Sequence, residues 1–97
     1  MEYRTVRYGQ FEWDLEKAKA NLAKHGVDFY EAMSAFLDDN RVIATDEAHS
    51  KSEPRYFCIG KVRHQILTVR FTYRKSVIRI FGAGHWRKGR VIYGKEK

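Results

Sequence analysis

The residues of this sequence best equipped for phosphate chemistry lie near its end. The segment Gly82-Ala83-Gly84-His85-Trp86-Arg87-Lys88-Gly89-Arg90 joins glycines, which let a backbone come close, to an imidazole, an indole and three cations. Arg87, Lys88 and Arg90 can hold phosphate oxygens, Trp86 can stack on a base, and His85 is the leading candidate for moving a proton. A helix starting at His85 would add partial positive charge from its free N–H groups. The segment is not a Walker loop, because the spacing and the Lys-Ser/Thr pair are missing. A competing reading makes it a solvated basic helix with Trp86 and Tyr93 packed inward. Otherwise Tyr93 offers a second stacking ring.

Arg70 and Arg79 form the second candidate pair. Two strand candidates, His64–Tyr73 and Val77–Ala83, are separated by a short connection. A two-residue turn at Arg74-Lys75 would set Arg70 opposite Arg79. Like charges directly opposite on a sheet face repel. An anion between them removes the conflict; so does a slipped register, or two side chains splayed to solvent. A guanidinium can grip two phosphate oxygens in a planar fork, which Lys cannot imitate.

Other chemistries find less support. The four histidines, His25, His49, His64 and His85, lack the close spacing of metal ligands, so neither a metal nor another cofactor is expected. His25 reads as a helix-terminal residue and His49 as a loop residue without a role. The single cysteine, Cys58, sits between Phe57 and Ile59 and reads as a small packed side chain.

Charge points the same way as the motifs. The 97 residues carry a net charge of +7, but unevenly. Met1–Pro54 holds 7 basic and 11 acidic residues, whereas Arg55–Lys97 holds 12 basic residues and a single acid, Glu96. Such asymmetry suggests a polyanion partner for the second half. Aromatics alternate with cations there (Arg70-Phe71, Tyr73-Arg74, His85-Trp86-Arg87), a mixture that suits single-stranded nucleic acid. An acidic protein partner fits the charge equally well. No apolar run is long enough for a membrane span, and Met1-Glu2-Tyr3-Arg4 lacks a secretion signal, so a soluble cytoplasmic protein is expected.

These residues need a scaffold, and the length suits one domain, residues 1–97. Residues 1–9 carry no clear pattern. Phe11-Glu12-Trp13 reads as a short strand. Asp14 is placed to cap a helix over residues 15–25, with Leu15, Ala18 and Leu22 on one face and Gly26 at its end. Asp28 and Glu31 resemble a capping box for a second helix over residues 29–37. Arg41–Thr45, Arg55–Lys61, His64–Tyr73 and Val77–Ala83 follow as strands, with a polar, mobile loop over Asp46–Pro54. His85–Tyr93 reads as a short basic helix, and a Gly94–Lys97 tail follows. The expected class is α+β: an antiparallel sheet of four to five strands, two N-terminal helices on one face and a wet, functional face opposite.

The motifs also resemble a known family. Phe11-Glu12-Trp13-Asp14, Lys17-Ala18, Asn21, Lys24-His25-Gly26-Val27, Phe29, Glu31-Ala32 and Phe36 look like the front half of BrnT-type toxins. Arg55-Tyr56, Ile59-Gly60, Leu67–Tyr73, Ile78-Arg79-Ile80 and Tyr93 agree with the back half. The resemblance covers about residues 10–93. It implies a RelE-like fold and the toxin role in a type II toxin–antitoxin system. It further implies RNA cleavage that inhibits translation, and a ribbon-helix-helix antitoxin through which alone operator DNA is reached. For a metal-independent ribonuclease, in which the RNA 2′-OH attacks the adjacent phosphorus, Arg79 and Arg70 are the expected phosphate ligands and His85 the proton carrier. Lys24, His25 and Glu31 follow as second-rank candidates from the matching motif. Arg87, Lys88 and Arg90 would bind the strand, and Trp86 or Tyr93 would stack a base. The chain departs from the family pattern after its last strand, where Gly82, Gly84 and Gly89 replace the usual Ser, Arg and Glu. That departure keeps two alternatives open: a non-catalytic antitoxin-binding module contributing to operon repression, and a general RNA-binding protein.

Overall fold

A computed structural model describes residues 4–95. Six strands form one sheet in the order β1-β2-β6-β5-β4-β3. These are β1 Thr5–Tyr8, β2 Phe11–Asp14, β3 Val42–Thr45, β4 Tyr56–Val62, β5 Gln65–Arg74 and β6 Val77–Gly84. All neighbours are antiparallel except β2 and β6, which run parallel with Glu12 beside Arg79. The expected antiparallel sheet of four to five strands is therefore corrected to a mixed sheet of six. β1 lay in the stretch without a pattern, and the parallel pair joins segments far apart in sequence.

Helix α1, Leu15–His25, starts where β2 ends. The Asp14 carboxylate accepts the Lys17 N–H, and Gly26 closes the helix in the left-handed region at φ 71°, where a side chain would be strained. Of the face read from periodicity, Ala18 packs against the core and Leu15 is half-buried, but Leu22 is 50% exposed while the polar Asn21 is buried. Beyond Ile80, β6 has no β2 neighbour, and Asn21 takes that place. Its Oδ1 accepts the Ala83 N–H, and its Nδ2 donates to the carbonyls of Ala83 and Val27. A side-chain amide thus satisfies backbone groups that burial would otherwise leave orphaned.

The second helical stretch splits. Helix α2 covers only Phe29–Met33, capped by Asp28, and a 3-10 turn continues over Ser34–Leu37. Phe29, Ala32 and Ala35 pack onto the sheet with Trp13, Val69, Phe71 and Ile80. Trp13 meets Phe29 edge-on at 5.8 Å between ring centres, and Phe36 meets Phe71 at 5.1 Å. Each large side chain buried this way contributes about 1.5–3 kcal/mol.

The other face carries helix α3, Arg87–Lys95, across β4 and β5. A Cβ at Gly89 would overlap the Thr68 hydroxyl, so glycine is what lets α3 lie on the strands. The Tyr93 hydroxyl donates to Asp38 Oδ2 at 2.6 Å, and the same carboxylate oxygen accepts the Lys61 N–H. One acid thereby anchors both α3 and β4. The Asp46–Pro54 loop is also tied down: it contains a 3-10 turn over Glu47–His49, and the Asp46 N–H bonds the Arg55 carbonyl.

Candidate active site

The open face divides into a paired and an unpaired part. In the paired part, Arg79 Nη1 lies 3.1 Å from Glu12 Oε2, with both side chains less than one-fifth exposed. Glu53 takes Arg74 at 3.0 Å and Arg55 at 3.3 Å. The hydrogen bonds from Arg74 hold the Glu53 carboxyl below its ordinary range against the opposing effect of burial, helped by the charges of Arg74 and Arg55. The Arg55 guanidinium lies 4.0 Å from the centre of the Phe81 ring, so this cluster is cemented by a cation–π contact as well.

The expected opposition of Arg70 and Arg79 does not occur. The two-residue turn is Lys75-Ser76, with φ of 52° and 71°, which sets Arg74 opposite Val77 and Arg79 opposite Thr72. A bulge between Arg70 and Phe71 then brings Gly82 opposite Arg70. The acid that relieves Arg79 is Glu12, contributed by the parallel neighbour strand rather than by an external anion.

The unpaired part is a cup of about 330 Å³ between α3, β4–β5 and the loop after β3, within the size range of small-ligand pockets. Ile59, Thr68 and Ile92 line it together with Phe57, and Arg70, Trp86, Lys88 and His49 complete the wall. No carboxylate among the described residues pairs with Arg70 or Lys88. Lys88 Nζ sits 5.9 Å from the centre of the Phe57 ring. The combination of free cations and two aromatic rings suits a phosphate with an attached base.

Of the expected site residues, Arg70, Trp86 and Lys88 meet in this cup. His25 stands behind it, edge-on to Trp86 at 5.1 Å. A Cβ on Gly84 would come within 2.7 Å of the indole, so Trp86 occupies the space a side chain at position 84 would need. His85 does not line the cup; its Nδ1 lies 3.2 Å from the Ile66 carbonyl, an arrangement that puts the proton on Nδ1. Arg87 is exposed at the start of α3, and Arg90 Nη1 donates to the His85 carbonyl at 2.6 Å. Lys24 is exposed in the last turn of α1. Glu31 lines a separate depression with Asp28, Asp38 and Arg63. Tyr93 is 7% exposed and turned to Asp38, which raises its hydroxyl pKa to about 12, chiefly through their hydrogen bond.

His49 was not expected in the site. Its Nδ1 lies 3.0 Å from both carboxylate oxygens of Asp46, which is 4% exposed, and its ring lines the cup. The signal was the Asp-x-x-His spacing, which places both residues on one 3-10 turn, but a run of polar residues concealed it.

Among the described residues no helix is long and apolar enough to cross a membrane. No curated protein matches the sequence. The sequence model of the family described as ribonuclease toxin, BrnT, of type II toxin–antitoxin system matches residues 13–89. With most of its length so matched, and with an α+β fold that presents a basic, aromatic-lined cup, the chain belongs to the BrnT family of type II toxin–antitoxin ribonuclease toxins.

Proposed function

We propose that the protein is an endoribonuclease toxin whose active site is the cup around Arg70. The observation that carries this reading is the unpaired state of Arg70 and Lys88 on a face where Arg55, Arg74 and Arg79 each pair with Glu53 or Glu12. A phosphodiester bound there meets two cations, with Phe57 and Trp86 available to its base. The exposed Arg87 and Arg90 extend the track for the strand along α3.

The chemistry needs no protein nucleophile. The RNA 2′-OH attacks the neighbouring phosphorus, charge builds on the phosphoryl oxygens, and a guanidinium already in place stabilises it without reorganisation. The proposal includes independence from metal ions, action in the cytoplasm and neutralisation by a ribbon-helix-helix antitoxin. Operator DNA is then contacted through that antitoxin alone.

The test is cleavage of RNA by the purified toxin, with and without magnesium, on free transcripts and on translating ribosomes. Product formation in EDTA supports the reading. Absence of cleavage on both substrates, with tight antitoxin binding retained, would favour a non-catalytic antitoxin-binding module. That second reading draws on one observation, the Glu12–Arg79 pair, which occupies a guanidinium expected to be free for phosphate.

A further inference from the structure

The wall of the cup includes a histidine hydrogen-bonded to a buried carboxylate. We infer that His49, oriented by the buried Asp46, takes the proton from the attacking 2′-OH; this rests on the ribonuclease reading above. Asp46 offers both carboxylate oxygens to Nδ1 at 3.0 Å, so Nδ1 carries a hydrogen and Nε2 is left as the acceptor. Asp46 is itself fixed. Its N–H donates to the Arg55 carbonyl, and its own carbonyl accepts the Ser50 hydroxyl at 2.6 Å. Ser50 Oγ in turn accepts the Arg55 N–H. These bonds fix the Asp46 backbone and its side chain is buried, while the imidazole, a little over half exposed, stays open to a ligand. An acid held nine-tenths buried behind a half-exposed histidine is costly unless the pair is used or structurally required.

The other charged groups on the wall of the cup are Arg70 and Lys88. Both are cations, placed to hold the phosphate whose neighbouring hydroxyl His49 would deprotonate. In the step, the 2′-oxygen bonds to phosphorus and its proton moves to His49 Nε2. The P–O5′ bond breaks, and the leaving 5′-oxygen takes a proton from water. The products are a 2′,3′-cyclic phosphate and a 5′-hydroxyl end, and the imidazolium returns its proton to solvent. Asp46 is a positioning residue in this scheme and does not itself change protonation.

His49→Asn separates this role from a merely structural one. The Asn amide nitrogen sits where Nδ1 does and still donates to Asp46, but the side chain cannot take up a proton. The expected result is a fall in kcat of about 100-fold or more, with KM little changed and a melt within ~2 °C of the parent. Asp46→Asn should lower kcat less, and combined with His49→Asn it should cost nothing beyond His49→Asn alone, because the two act as one unit. Added imidazole should restore part of the activity to His49→Ala. A folded His49→Asn protein that cleaves within ~3-fold of the parent overturns the assignment and leaves the ribonuclease reading standing. A parent protein that cleaves neither free nor ribosome-bound RNA removes both.

Discussion

Two groups of arginines share one sheet face and are treated oppositely. Arg55, Arg74 and Arg79 each have an acid within 3.3 Å, whereas Arg70 has none and lines a cup with Lys88. A surplus of positive charge alone does not mark a phosphate site. Where an arginine is already neutralised by the fold, its removal costs stability. Where it is held without a partner, half-buried and beside aromatic rings, its energy remains available to a ligand.

Substitutions can break that contrast in order of expected size. Gly89→Leu should have the largest effect on stability, about 2–3 kcal/mol, because its side chain would collide with Thr68 and lift α3 off the strands. It should also abolish RNA binding by opening the cup. Arg79→Ala should cost roughly 1–2 kcal/mol by stranding the Glu12 carboxylate, less than a fully buried pair because both side chains keep some water. A denaturant titration checks this, and an Arg79→Ala protein as stable as the parent would erase the distinction between the two groups.

Tyr93→Phe should cost about 1 kcal/mol through the lost hydrogen bond to Asp38. Its pH signature is alkaline. The Tyr93 pKa is raised from 10 to about 12, so the protonated hydroxyl is favoured in the folded state, and its contribution is whole below pH 10 and lost as pH rises towards 12. The Phe variant should lack that loss. Glu53→Gln should have the smallest effect, visible near neutral pH and fading in acid. The folded carboxyl is depressed from 4.5, so its contribution is present above that value and disappears as pH falls through the lower folded pKa. Melting curves from pH 3 to pH 7 should converge for parent and variant at the acid end.

The paired group also shows what the sequence withheld. Helix α1 was legible to the residue because Asp14 and Gly26 supply both caps locally. The β5–β6 register was not. Its turn uses Lys75-Ser76 in left-handed conformations without the Gly or Asn that usually signals them, and the bulge after Arg70 shifts the remainder of the pairing. The Glu12–Arg79 pair depends on β2 lying parallel beside β6, a contact between residues 67 positions apart that no local pattern encodes. In the cup, Arg70, Trp86 and Lys88 were readable from charge mixed with aromatics. Asp46 and His49 were not, since each resembles an ordinary loop residue until the turn brings them together.

The most direct measurement is RNA cleavage in EDTA by the parent, Arg70→Ala and Arg79→Ala proteins, each assayed well below its melting temperature. The expected result is that Arg70→Ala keeps the parent's melt and loses about 100-fold or more in kcat, while Arg79→Ala melts lower but retains most of its activity. Cleavage at the parent's rate by Arg70→Ala, with activity lost in a folded Arg79→Ala protein, would contradict this and move the phosphate site from the unpaired arginine to the paired one.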